Sequence, residues 1–211
     1  MRIAILGAGN IGLAAGIKWL KKGHEITFGV RDTQSQKAWN ALETGAKVLG
    51  FQEACNDAEV ILIALPFGIA DDVIKAINIE WDDKIIIDAT NPISVATDPF
   101  DSAAEAIQAW TGNENIVKAF NTTGSSNLIN PIYNGLPIET FICGDEKNSK
   151  QVVTQLAEEL GFKVVDVGGL ENAPMLESLA KLWTTMAYKL GKGPNFAFTI
   201  VTRNAGQQAN G

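Results

Sequence analysis

The first twelve residues constrain this chain more than any other stretch. Met1-Arg2-Ile3-Ala4-Ile5-Leu6 is a short apolar strand running straight into Gly7-x-Gly9-x-x-Gly12, followed by a segment in which Leu13, Gly16, Ile17 and Leu20 share a helical face. Each glycine answers a separate requirement. Gly7 permits a tight turn off the strand, Gly9 lets backbone approach a pyrophosphate, and Gly12 lets the next helix pack close to the strand. Phosphates would then sit at the helix N-terminus, where unpaired N–H groups and the helix dipole favour negative charge. The strand, turn and helix context predicts a dinucleotide site built from Gly7, Ala8, Gly9, Asn10, Ile11 and Gly12.

The next strand, Glu25 to Gly29, sharpens the prediction. A site for an unphosphorylated adenosine ribose places Asp or Glu near its end, to accept from the 2′-hydroxyl. Here the chain has Val30 followed by Arg31. A guanidinium can hold a 2′-phosphate in a bidentate pair, so NADP(H) is favoured. Asp32 offers a competing acidic role, and the alternative is a solvated turn before a helix capped by Thr33.

A chain of 211 residues suffices for one α/β domain with a small appendix. Hydrophobic residues make up 46% and charged ones 19%, and no apolar run reaches the ~20 residues needed to span a bilayer. The first apolar stretch is the glycine-motif strand itself, so no signal peptide is expected. The two cysteines, Cys55 and Cys143, form no C-x-x-C pair, which fits a reducing cytoplasm and offers no metal or disulfide framework. A net charge of −7 without a basic run argues against nucleic acid and anionic membranes as partners.

Strand-like and helix-like segments alternate along the chain, predicting an α/β, Rossmann-type, doubly wound and mainly parallel sheet. The strands expected are Ile3 to Leu6, Glu25 to Gly29, Ala46 to Leu49, Val60 to Leu65, Lys84 to Asp88, Ile116 to Phe120, Ile138 to Cys143 and Lys163 to Val167. Helices are expected over Thr33 to Thr44, Ile69 to Ile77, Ser102 to Trp110 and around Val152 to Leu160. Residues 1–170 read as the nucleotide-binding domain, and 171–211 as a small helical segment completing the site or a dimer interface. In the latter, Met175 to Leu190 reads as one amphipathic helix, with Met175, Leu176, Leu179, Ala180, Leu182, Trp183, Met186, Ala187 and Leu190 on its apolar arc and Glu177, Ser178, Lys181, Thr184, Thr185, Tyr188 and Lys189 on the solvated arc. Phe196 to Val201 reads as a short apolar element and Asn204 to Gly211 as a frayed tail.

Ligands of open α/β sheets bind outside the carboxyl ends of the strands. Beyond the glycine turn and Arg31, those ends are Leu65-Pro66-Phe67, Ala89-Thr90-Asn91-Pro92 and Asn121-Thr122-Thr123-Gly124. Leu65, Pro66, Phe67, Ala89, Asn91 and Pro92 are therefore expected at the nicotinamide half, and Asn121 and Thr122 at the substrate. His24, the one histidine, lies at the opposite end of the sheet. Lys118 and Lys181 remain as candidate proton donors, with Lys181 on the solvated arc. Direct hydride transfer between nicotinamide and a second redox ring needs no side-chain acid.

The stretches Met1 to Gly7, Phe28-Gly29-Val30-Arg31-Asp32, Leu65-Pro66-Phe67, Asp88 to Pro92, Val117 to Thr122 and Cys143-Gly144-Asp145 resemble the NADPH-dependent F420 reductases and related dinucleotide-binding oxidoreductases. The resemblance spans nearly the whole chain. It implies a compact Rossmann domain with a helical C-terminal part, NADP(H) held through Gly7, Gly9, Gly12 and Arg31, F420 or a flavin as second redox partner, and a homodimer. Ala8 stands where F420 reductases carry Thr, and Val30 where they carry Ser. The alternatives are an imine or 2-ketoacid-type reductase, which would need a longer helical second domain, and a non-catalytic NADP-binding redox sensor.

Overall fold

The computed structural model describes residues 1–203. Ten strands and eight α-helices alternate through it: β1 (Arg2–Leu6), α1 (Asn10–Lys21), β2 (Glu25–Val30), α2 (Gln36–Leu42), β3 (Lys47–Gly50), α3 (Phe51–Asn56), β4 (Val60–Ile63), α4 (Phe67–Ala76), β5 (Ile85–Asp88), α5 (Ala103–Thr111), β6 (Ile116–Lys118), α6 (Ser125–Ile129), β7 (Ile132–Tyr133), β8 (Leu136–Pro137), β9 (Glu139–Ile142), α7 (Lys147–Glu159), β10 (Lys163–Asp166) and α8 (Ala173–Thr184). A 3-10 turn, Leu170–Asn172, enters α8, and a π-helical turn, Thr185–Lys189, continues it.

Six strands pair in parallel in the order β3-β2-β1-β4-β5-β6. This is the strand order of a dinucleotide-binding fold, with its crossover between β1 and β4. β9 and β10 form a parallel pair that joins β6 through an antiparallel bridge between Lys118 and Cys143. Strands buried on both faces must be apolar throughout, and β4 (Val-Ile-Leu-Ile) is buried at every position. Their alternation divides the core in two. Ile3, Ile5, Leu62, Ile87 and Val117 face one layer with Trp19, Val153 and Leu156, while Ala4, Leu6, Ile61, Ile63 and Ile86 face the other with Ala104, Ile107 and Leu176. Each fully buried Ile or Leu contributes roughly 1.5–3 kcal/mol.

Several expectations need correcting. The inward face of α1 is Gly12, Ala15, Gly16 and Trp19, while Ile17 is exposed. Close packing explains it: a Cβ on Gly16 would lie 2.6 Å from the Phe28 ring, so small residues face the sheet, Leu13 and Leu20 pack half-buried at its margin and Ile17 is turned outward. The expected helix from Thr33 shortens to α2, and Ser35 rather than Thr33 caps it, accepting from the Ala38 N–H. Helices α3 and α6 and the β7–β8 hairpin were not expected. The hairpin turns on Asn134-Gly135, both at positive φ (51° and 81°), as a two-residue turn of this hand requires. Residues 196–201 are irregular, and the expected tail from Asn204 lies outside the described residues. Among the described residues, no helix is long and apolar enough to cross a membrane.

Candidate functional site

The strand registers set the site. Leu6 pairs with Gly29 and with Ile63, Ile63 with Asp88, and Asp88 with Lys118, so four of the inner strands and β6 end at one level. The loops that follow leave from that single edge and bring together the glycine turn, Arg31, residues 64–67, 89–92 and 121–124.

The glycine turn is shaped by contact on one side and openness on the other. Gly7, at φ 106°, sits 2.6 Å (as a would-be Cβ) from the Ala64 carbonyl, and Gly12 would meet the Gly7 carbonyl at 2.2 Å. Gly9 has nothing within 4 Å of its Cβ position. It caps α1 without a side chain, leaving the first N–H groups of a twelve-residue helix facing open space. This is the cradle a phosphate pair fits.

At the end of β2, Arg31 is exposed, and it has no ion-pair partner among the described residues. Asp32 is committed elsewhere. Its Oδ1 accepts from the Gln34 N–H at 2.8 Å, and its carbonyl accepts from the Ser35 hydroxyl at 2.8 Å. That local turn holds the carboxylate of Asp32 in the loop and leaves the guanidinium as the free charged group at this corner.

Of the residues after β4, Pro66 is exposed at the start of α4, whereas Leu65 and Phe67 are buried. Phe67 stacks on Trp110 with ring centroids 5.7 Å apart. These two side chains serve the core, and what they present to the crevice is backbone.

At the ends of β5 and β6, Asn91 and Asn121 grip each other. Asn91 Nδ2 donates to the Asn121 carbonyl at 2.9 Å, and Asn121 Nδ2 donates to Asn91 Oδ1 at 3.0 Å. The Asn121 Oδ1 atom is buried and has no partner among the described residues, as are Thr90 Oγ1 and Ser126 Oγ. Phe120, just before Asn121, has a left-handed backbone (φ 61°) and is buried against Trp19 and Phe162. For a bulky residue that conformation stores strain, and here it turns Asn121 toward Asn91.

Beneath this loop pair lies a group of charges that sequence reasoning did not assemble. Lys118 is fully buried, and its Nζ donates to Asp88 Oδ2 at 2.7 Å, to the Thr90 carbonyl at 2.8 Å and to Glu177 Oε1 at 2.7 Å. All three ammonium protons are therefore spent. Asp88 Oδ1 accepts from the Thr90 N–H at 2.8 Å, and Glu177 Oε1 also accepts from the Ala103 N–H at 2.9 Å. Burial pushes the Glu177 carboxyl above its ordinary value, with Lys118 pulling the other way. Glu177 was expected on a solvated arc, and the structure corrects this: α8 turns it inward beside Leu176 and Ala180, while Met175, Leu182 and Leu190 are exposed. The available signal was a single charged residue ending each of two otherwise apolar strands, Asp88 on β5 and Lys118 on β6. Nothing in the spacing of α8 itself marked Glu177.

The same helix reaches the second loop through Trp183. Its ring lies where a Cβ on Gly124 would be, 2.5 Å away, and its Nε1 donates to the Phe196 carbonyl at 3.0 Å. Asn127 Nδ2 donates to that carbonyl at 2.9 Å, and Trp183 stacks on Phe196 at 5.3 Å. Residues 191–199 thus cross over α6. His24 sits at the far edge of the sheet, paired with Glu159 at 2.7 Å. Lys181 is exposed.

Known proteins match this arrangement closely. The family profile described as NADP oxidoreductase, coenzyme F420-dependent, matches residues 2–92. The F420-dependent NADP reductase of Methanothermobacter marburgensis is 28% identical over 212 residues, covering 90% of this chain and 93% of the relative. A solved protein of Arthrobacter sp. FB24, provisionally assigned as an F420-dependent NADP-reductase, superposes with a TM-score of 0.81 at 25% identity, covering 96% of this chain and 100% of that one. A reductive aminase from Aspergillus terreus shares the fold (TM-score 0.69, 18% identity), but the match covers only 62% of its length against 90% of this chain. Sequence similarity and superposition both extend over nearly the whole chain, so the chain is similar to the F420-dependent NADP reductases from the glycine turn through the C-terminal helix and is an F420-reductase-like, NADP(H)-dependent oxidoreductase.

Proposed function

We infer that the protein transfers hydride directly between NADP(H) and a flat redox ring of the deazaflavin (F420), flavin or quinone kind, without a side-chain acid. The observation that carries this reading is the commitment of Lys118: the buried ammonium nearest the nicotinamide loops already donates to Asp88, Thr90 and Glu177. A proton needed to complete reduction of the acceptor then comes from solvent at the open crevice.

The residues fit the cofactor. The uncapped start of α1 and the open side of Gly9 receive the pyrophosphate, Arg31 pairs with the 2′-phosphate, and the backbone of residues 64–67 borders the adenosine and nicotinamide halves. Asn121 Oδ1, buried without a partner among the described residues, is an acceptor ready for an amide donor. NADPH, when bound, supplies the hydride. Ala89, Asn91 and Pro92 orient the reacting face, Asn121 and Thr122 meet the acceptor, and the segment 171–203 completes the crevice. The two free, buried cysteines suit a reducing compartment such as the cytoplasm.

The test is NADPH oxidation by the purified protein, followed by absorbance, with F420, FMN and a quinone as separate acceptors. Turnover with one or more of these rings, and none with small imines or 2-ketoacids, is the expected result. Binding without turnover of any acceptor would favour a redox sensor. Arg31→Ala should weaken NADPH binding by roughly tenfold to a hundredfold, the loss of a charge-assisted pair, and leave NADH nearly untouched. Equal losses would remove Arg31 from the 2′-phosphate site.

A further inference from the structure

We propose that Glu177, on the C-terminal helix, is a positioning residue for the nicotinamide half of the cofactor, acting through Lys118 on the loop Ala89 to Pro92. The proposal rests on the NADP(H) reading above. Its basis is a continuous chain of contacts. Glu177 Oε1 receives two donors at once, Lys118 Nζ at 2.7 Å and the Ala103 N–H at 2.9 Å. Lys118 in turn holds the loop from inside by donating to the Thr90 carbonyl, while Asp88 holds the same residue by accepting from its N–H. Thr90 is thereby fixed at both of its backbone polar groups, and the next residue, Asn91, is the one that locks onto Asn121.

Glu177 makes the arrangement specific. An ammonium has three protons and needs three acceptors with set directions. Asp88 and the Thr90 carbonyl supply two from β5 and its loop, and only Glu177 supplies one from outside that loop. Without it, the fully buried Lys118 keeps its charge but loses its third directed acceptor; water entering from the pocket that Glu177 lines with Pro92 does not fix Nζ in one direction, and the Thr90 carbonyl is held less firmly. The Ala103 N–H, at the start of α5, would lose its acceptor in the same step. Because the contacts of Glu177 run to Lys118, the Ala103 N–H and the pocket it lines with Pro92, its effect falls on the geometry of the 89–92 loop and not on the adenosine half, which is held by α1 and Arg31.

That separation gives a test independent of turnover. NADPH spans both halves of the site; 2′,5′-ADP carries the adenosine and 2′-phosphate alone. Calorimetric titration of Glu177→Ala should show NADPH affinity falling about five- to tenfold, with 2′,5′-ADP changing by less than about twofold. Glu177→Gln should restore NADPH binding to within about twofold, because its amide carbonyl can accept the same two N–H groups. Should Glu177→Ala fail to fold, Glu177→Asp serves instead: one methylene shorter, it cannot reach both donors and should show the same selective loss. A role in stability alone would lower the melting temperature and move both ligands together or neither. Parallel changes, or none, in a folded variant would overturn the proposal while leaving the cofactor reading intact. Wild-type protein that binds neither ligand would overturn the cofactor reading, and this inference with it.

Discussion

Gly9 and Gly12 stand three residues apart in one motif and are small for opposite reasons. At Gly12 the space is already taken by the Gly7 carbonyl and Ile5 Cγ2, 2.2 and 2.9 Å from a would-be Cβ; at Gly9 the space is open. Gly12→Ala should therefore cost stability, about 1–3 kcal/mol or more because the obstruction is backbone, measured by urea unfolding. Gly9→Ala should leave the unfolding midpoint unchanged and weaken NADPH binding about tenfold or more, seen in titrations of nicotinamide fluorescence. The motif was legible at this scale because each glycine has a distinct steric task. What Asp32 does was not legible. Its type permits either a ribose contact or a local turn, and the choice depends on Gln34 and Ser35 closing a turn around it. Leu65 and Phe67 were expected at the ligand for their place at a strand end, yet side chains of that size gain more by filling the core.

The inner strands and the long helices were plain in the sequence, since uninterrupted apolar runs and wide apolar faces leave few alternatives. Short elements were harder to see. The Asn134-Gly135 turn was the clearest signal overlooked, and α3 and α6 are too short to show a period. Helix α8 shows the limit of reading periodicity alone: its arc gave Glu177 to water, whereas a buried cation on β6 draws the carboxylate inward. That burial has a pH signature. The native Glu177 carboxyl titrates above its ordinary 4.5, so across that window the folded state holds its proton more tightly than the unfolded one, and stability declines as pH rises. The contribution is whole at acid pH and lost once pH passes the raised native value. Glu177→Gln removes this contribution. Relative to the wild type, its stability should improve progressively as pH rises above about 4.5, with little difference at the acid end, in urea unfolding at several pH values.

Across the whole molecule, the two thiols report how tightly the layers close. Cys55 lies in the layer packed on one face of the sheet and Cys143 at the joint between β6 and β9, and burial pushes both up to about 12. A thiol that is neither exposed nor ionised reacts slowly. At about pH 8, native protein should show almost no reaction with a disulfide reagent until urea opens it, and the labelling rate should then track unfolding. Fast labelling of native protein would reveal local opening of one layer. The Lys118–Glu177 contact also sets an order of events during synthesis. Lys118 leaves the ribosome 59 residues ahead of its third acceptor. The strands β1 to β6 can align while translation continues, with the ammonium meeting Asp88 and Thr90 alone. Only when α8 emerges and delivers its carboxylate does the loop 89–92 become fixed, so a nascent chain can possess the open glycine turn at the start of α1 well before the loops at the ends of β5 and β6 are finished.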